Sequence, residues 1–271
     1  MGVSEKLELL GRGLYEDIPD VLTIKSIPTA AELDYVGSED FESTMVDKIF
    51  PKAIEEKIDF RKLLEVDFQW ICRALRILNY GPYFTTNTIY CSECGKVSHG
   101  EYKVNLTTVE AKPFPENFDN NIVISKDEFI DFNKSITLHM LTVQDILNID
   151  KDPLFTDSTG RVNRQLARIC YMIKAIGSEV MAVPQVKHTI QYGMSDADYR
   201  LLADVVSNLT DYGLRMGGKT GCPNCHSTEA AYVALVNDKF FRPTLGDLRS
   251  WRDDKRSGET KNTATTKTGS V

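Results

Sequence analysis

The sequence predicts an α+β fold built around a small antiparallel sheet, and three observations lead to it. Two C-x₂-C pairs, Cys91/Cys94 and Cys222/Cys225, stand 127 residues apart. Segments of alternating polar and apolar residues follow the first pair, the period of a strand with one buried face. Apolar residues at three- and four-residue steps fill the stretches before each pair, the period of amphipathic helices. Two thiolates on a tight turn are half of a tetrahedral metal site, and two such turns complete it. The expectation is therefore a four-cysteine, zinc-ribbon-like knuckle pair on a small sheet, with an inserted helical region and extended termini.

Composition narrows the function classes. A chain of 271 residues that is 42% hydrophobic has enough apolar material for a substantial core. A net charge of -7 and a pI near 5.3 argue against a surface built for nucleic acid or anionic lipid, which concentrates Lys and Arg. The longest apolar runs, such as 230–236, fall far short of the roughly 20 residues that cross a bilayer. The start, Met1-Gly2-Val3-Ser4-Glu5-Lys6, lacks the basic and apolar regions of a signal peptide. A cytosol-like compartment is expected, where six cysteines read as thiols or metal ligands rather than disulfides.

Residues 1–28 read as an N-terminal arm leading into a first strand, with 21–27 β-rich until Pro28 stops it. Residues 29–94 form a helical segment leading to the first knuckle. Thr29 and Glu32 make a capping-box pattern for a helix over 30–36. Helical periodicity then runs in two or three pieces from Thr44 to Leu78, and Asn79-Tyr80-Gly81-Pro82 ends it with a left-handed glycine and a proline. Cys72 on the last helix reads as core.

Residues 95–141 are expected to be a small β region growing out of the first pair, with strands over 102–106, 121–125 and 135–140. Residues 142–221 form a helical insertion that opens on a second capping box, Thr142 to Asp145. Val162, Leu166, Ile169, Ile173 and Ile176 make one amphipathic helix face closed by Gly177, with Cys170 in its core. Ser195 caps a further helix that carries Leu201, Leu202, Val205, Val206 and Leu209. Residues 222–252 hold the second knuckle and a closing strand, and 253–271 a polar tail too poor in apolar residues to order itself.

Gly213-Leu214-Arg215-Met216-Gly217-Gly218-Lys219-Thr220 satisfies the phosphate-loop pattern, with Gly213, Gly218, Lys219 and Thr220 as its diagnostic positions. The chemistry needs a buried strand before the loop and a helix starting at Lys-Thr, so that N–H groups cradle the phosphates. Here a helix precedes it and a cysteine turn follows. The pattern therefore reads as a glycine-rich approach to the second knuckle, with nucleotide binding as a minor alternative. Four scattered histidines, His99, His139, His188 and His226, supply no nucleophile-base arrangement, and no carboxylates form an acid-base pair. No catalytic residues are expected.

A lone C-x₂-C can be a redox pair. The matched set, placed among turns and small polar residues, favours instead one structural Zn²⁺ held by Cys91, Cys94, Cys222 and Cys225, a closed site with no open position for substrate. Glu93, Glu101 and Glu229 near the knuckles speak against the nucleic-acid contacts that zinc ribbons often make.

Gly11-Arg12-Gly13-Leu14-Tyr15 with Asp17-Ile18-Pro19, the helix end Leu75-Arg76-Ile77-Leu78-Asn79-Tyr80-Gly81-Pro82, the knuckle from Cys91 to Gly95 and Val104-Asn105-Leu106 resemble one family. It is that of the baseplate hub and hub-assembly proteins of T-even-like contractile-tailed bacteriophages. The resemblance spans roughly residues 10–145, with the second knuckle and Phe240-Phe241 recurring near the end. It implies a non-enzymatic virion component of the tail or baseplate, assembled in the host cytoplasm. Its partners would be other tail and baseplate proteins such as tube, hub or tape-measure protein, without nucleic acid or membrane. The alternative it implies is a tail-assembly chaperone that acts with the tape-measure protein and is absent from the virion.

Overall fold

Strand β1 (Ser4–Glu8) pairs antiparallel with β2 (Val21–Lys25), so the N-terminal residues expected as an arm are half of a hairpin. Alternation explains its placement: Leu22 and Ile24 are fully buried, while Val21 is exposed and Thr23 and Lys25 are half-buried. The structure is a computed structural model that describes residues 4–27, 40–91, 93–214, 217–220, 222–227, 230–233 and 246–253. The expected helix over 30–36, residues 234–236, Phe240-Phe241 and the tail from 255 onward lie outside the described residues.

Asp40 caps the next helical stretch by accepting from the Ser43 N–H at 3.0 Å. That stretch runs as an α-helix (Phe41–Thr44), a π-helical segment (Met45–Ile49) and a second α-helix (Phe50–Ala53). Pro51, lacking an N–H, interrupts the regular ladder there. Phe50 packs on Phe60 and Phe68 with ring centroids 5.5 and 5.6 Å apart.

The long helix Glu65–Tyr80 is the central element. Glu65 and Asp67 in its first turn suit the positive end of the helix dipole. Its end follows the sequence signal: Gly81 takes φ +80° and its N–H donates to Ile77 O at 2.9 Å. Trp251, in a helical turn over 246–253, packs directly on this glycine. A Cβ at Gly81 would fall 2.3 Å from Trp251 Cγ.

Two buried charges on the long helix tie chain segments to it. Asp67 accepts from Leu10 N–H at 2.6 Å, from Gly11 N–H at 3.1 Å and from the Tyr15 hydroxyl at 2.5 Å. Tyr15 in turn accepts from Leu64 N–H at 2.9 Å. The Gly11-to-Tyr15 loop is thus fastened by one carboxylate. Arg76, fully buried, donates to Gly81 O at 2.9 Å and Tyr83 O at 2.7 Å and faces Asp247 at 4.0 Å, while Asp247 accepts from Thr85. That pairing docks the 246–253 turn.

Beyond Gly81 the chain enters a four-stranded antiparallel sheet in the order β10 (Gly217–Thr220), β11 (Ala230–Val233), β3 (Tyr83–Cys91), β4 (Val97–Asn105). The expectation of one sheet continuing through 95–141 is corrected here. β6 (Ile122–Ile124) and β7 (Ile136–Leu138) belong to a separate three-stranded sheet whose third member is β8 (Ile173–Ile176). A minor pair joins β5 (Ala111–Lys112) to β9 (Gly213–Leu214).

β8 also overturns the single helix expected through Ile176. The helix Arg164–Met172 stops, and Ile173 and Ile176 pair with Leu138 and Ile136. The two isoleucines are three apart, a step that fits a helix face. Here both are buried against β7, with Lys174 exposed between them. Gly177, at φ +63°, starts a tight turn instead of capping a helix, and its N–H donates to Ser135 O at 2.8 Å. The capping box Thr142/Asp145 and the cap Ser195 are both formed. A further helix, Val183–Gly193, falls inside the helical insertion expected over 142–221, at a place where the sequence marks no separate element.

Two apolar cores result among the described residues. The first packs the hairpin, the helices of 41–80, Ile89, Cys91, Val104, Leu106, Val143, Leu147 and Cys222; the second is built from residues between Ile124 and Leu209 and takes in Leu64 and Val66. They meet where Glu65 N–H donates to Leu141 O and Val143 N–H to Leu63 O, clamped by a two-point Arg168–Glu65 ion pair. Cys72 and Cys170 are fully buried, each as core. In the insertion, buried Asp198 gathers the N–H groups of Ile130, Asp131 and Phe132 and the Ser195 hydroxyl. Burial alone would raise its pKa, but these donors outweigh it and hold the carboxyl below its ordinary range.

Asp67→Ala leaves two backbone N–H groups and a tyrosine hydroxyl without their acceptor. It should cost about 3 kcal/mol in denaturant unfolding. Desolvation raises the Asp67 pKa to about 6 despite those donors. The folded chain therefore holds this proton more tightly than the unfolded chain. The associated stability is complete below the ordinary aspartate value and is lost as pH climbs through 6. Unfolding measured across that window should show this fall in the wild type and not in Asp67→Asn.

Candidate metal centre

The two knuckles are built alike, although nothing in their flanking sequence repeats. In the first, the N–H of Gly95 donates to Cys91 O at 2.8 Å and the N–H of Cys91 to Lys96 O at 3.0 Å. In the second, the N–H of His226 donates to Cys222 O at 2.9 Å and the N–H of Cys222 to Ser227 O at 2.8 Å. Each turn therefore sits at the tip of a hairpin, β3–β4 or β10–β11, with its cysteines at the first and fourth positions. The fifth position has positive φ in both, +65° at Gly95 and +61° at His226.

Strand pairing brings the tips together. β11 lies beside β3 with Ala230 opposite Cys91, which carries the second knuckle over the first. Asn224 adds a bond across the two, its side-chain amide donating to the buried Ser98 hydroxyl at 2.6 Å. The Sγ atoms of Cys91, Cys94, Cys222 and Cys225 all lie within 4.8 Å of one another. Cys91 and Cys225 approach to 3.6 Å, Cys94 and Cys222 to 3.8 Å.

The donor set fits a metal ion. Four metal–sulfur bonds of about 2.3 Å arranged as a tetrahedron put their sulfurs about 3.8 Å apart. A covalent disulfide would need about 2.05 Å. Cys91 and Cys222 are buried, Cys94 is half-buried and Cys225 is exposed, so the centre sits at the surface end of the first core with one sulfur toward solvent. The thiols perturb one another. The Cys225 N–H helps pull Cys222 down to about 6. Cys225 accepts from Ser227 N–H, yet desolvation and the thiols of Cys91, Cys222 and Cys94 push it up to about 12. Four thiolates at this spacing repel, and a divalent cation among them removes that repulsion.

The site residues expected from sequence are thus brought together, 91 and 94 with 222 and 225. The phosphate-loop pattern is not: Lys219 and Thr220 lie in β10, opposite Ala231 and Ala230, where the chemistry requires a helix start. Residues 215 and 216 lie outside the described residues. Gly213, with φ +93°, is a packing glycine, since a Cβ there would fall 2.8 Å from Val66 Cγ1. His139 bonds Met140 O through Nδ1 at 3.0 Å, and His99 Nδ1 faces the Thr88 hydroxyl at 3.5 Å. The sequence reading misses His226 as a backbone position. The signal is available, because His226 follows Cys225 as Gly95 follows Cys94. No family model, no curated protein and no solved structure matches the chain.

Metal analysis of the purified chain should find one ion per chain, and Cys222→Ser should lose it. Full retention in that variant would separate the two pairs into independent sites. His226→Gly frees the second turn from a left-handed residue with a side chain. It should raise unfolding stability by about 1 kcal/mol while leaving metal content unchanged.

Proposed function

We propose that this chain is a non-enzymatic structural component of a bacteriophage tail or baseplate, in the hub region, and that its metal is zinc. The observation that carries the reading is the closed four-sulfur cluster. Four cysteine sulfurs within 4.8 Å of one another suit a tetrahedral zinc ion and leave no position for substrate, so such an ion holds the two hairpins together. The working surfaces are then those the hairpins and the insertion present to neighbouring proteins.

The tail assignment rests on the resemblance, and the physical connection of its segments supports it. The Gly11-to-Tyr15 loop is bonded to the long helix through Asp67, the helix ends at Gly81, and β3 runs from there to the first knuckle. Leu106 O returns to Arg73 of the same helix at 2.9 Å. These segments form one bonded unit, as expected if they are read together. Among the described residues no helix is long and apolar enough to cross a membrane.

Mass spectrometry of purified particles of the encoding phage tests the assignment. The chain should be present at fixed stoichiometry with tail proteins. Its absence from finished particles, with presence in tail precursors beside the tape-measure protein, would make it an assembly chaperone.

A further inference from the structure

The four cysteines differ in exposure, and two close approaches of their sulfurs run from one knuckle to the other. Cys225 is exposed, whereas Cys91 and Cys222 are buried and Cys94 is half-buried. The sulfur 3.6 Å from Cys225 belongs to Cys91, on the other hairpin. The remaining two, Cys94 and Cys222, face each other at 3.8 Å, again from opposite hairpins. Closing either gap to about 2.05 Å moves each sulfur by less than about 1 Å if the two share the movement.

We propose that the centre is a convertible staple, held by metal in a reducing compartment and by two cross-knuckle disulfides, Cys91–Cys225 and Cys94–Cys222, once the protein meets a peroxide-class oxidant. This rests on the metal-site reading above and extends it to the life of a particle that is assembled in cytoplasm and then released from it.

The exposed Cys225 sulfur, deprotonated as it would be as a metal ligand, attacks hydrogen peroxide as the thiolate. The S–O bond forms, the O–O bond breaks, and hydroxide leaves and takes a proton as water. The product is a sulfenic acid at Cys225. The Cys91 thiolate then attacks that sulfur, the S–S bond forms, the S–O bond breaks, and a second hydroxide leaves as water. Two thiolates, one hydrogen peroxide and two protons give one disulfide and two waters, with peroxide reduced by two electrons and the sulfur pair oxidised by two. Loss of two of four ligands frees the ion. A second equivalent joins Cys94 to Cys222 by the same steps. Both links bridge the hairpins that the metal had bridged, so the sheet order β10–β11–β3–β4 is kept.

The test uses the full chain, metal-loaded, titrated with hydrogen peroxide in the presence of a chromogenic chelator, then alkylated and mapped by peptide mass spectrometry. One ion should be released per first equivalent of peroxide, with Cys91–Cys225 the first disulfide and Cys94–Cys222 the second. The doubly oxidised chain should keep a Tm close to that of the metal-loaded chain and stay insensitive to chelator, whereas the reduced metal-free chain melts lower. A first disulfide within a knuckle, Cys91–Cys94 or Cys222–Cys225, would overturn the proposal. So would over-oxidation of Cys225 without a disulfide, or a Tm no higher than that of the reduced metal-free chain. A chain that purifies without metal would sink the zinc reading alone. The connectivity is then still decided by peroxide titration of the reduced metal-free chain, where the same cross-knuckle links are expected in either order.

Discussion

The pairing of β11 with β3 is the constraint on which the rest depends, because it sets one cysteine turn against the other. A segment of 127 residues leaves the first knuckle and must return to within a sulfur contact of its start. Closing a loop of that length carries an entropic cost that grows only slowly with length, so its size is not the obstacle. What matters is that the ends be fixed, and several contacts share that work. Ala230 stands opposite Cys91, Asn224 bonds Ser98, and four thiols converge. An ion at that point adds bonds far stronger than any one of the hydrogen bonds.

The segment so enclosed supplies most of a second core, and directional contacts join the two cores. Glu65 is central to them, since its N–H and carboxylate meet Leu141 and Arg168, both from the insertion side. Elsewhere the chain uses buried carboxylates as acceptors for loops that cannot join a helix or sheet ladder. Asp67 does this for residues 10–15 and Asp198 for residues 130–132. A carboxylate offers several acceptor sites on one side chain, so one residue can satisfy an irregular segment that would otherwise bury unpaired N–H groups.

The metal centre was legible because its signal is local and stringent. C-x₂-C fixes turn geometry, and a matched second pair supplies the missing ligands wherever the chain brings it. Capping boxes were legible for the same reason, as at Thr142, and so was the helix end at Gly81. The three-stranded sheet was not. Ile173 and Ile176 fit a helical face as well as a strand, and only the partner β7, more than thirty residues earlier, decides between them. Asp67 and Arg76 were invisible as structural residues, and Asp198 was legible only as part of the Ser195 cap, since their types are ordinary on helix surfaces and their burial depends on segments distant in sequence. The phosphate-loop letters show the converse: a pattern can be complete while the backbone that gives it meaning is absent.

The order of the four cysteines along the chain has a consequence for biosynthesis. At translation rates of about 5–20 residues per second, the first knuckle leaves the ribosome roughly ten seconds before the second. During that interval β3 has only β4 beside it, the flank that β11 will occupy is open, and Cys91 and Cys94 have no partners. Native assembly of the sheet is therefore a late event, decided by the arrival of residues 217–233. The nascent chain passes through a stage in which an unpaired strand edge and two thiols are exposed together.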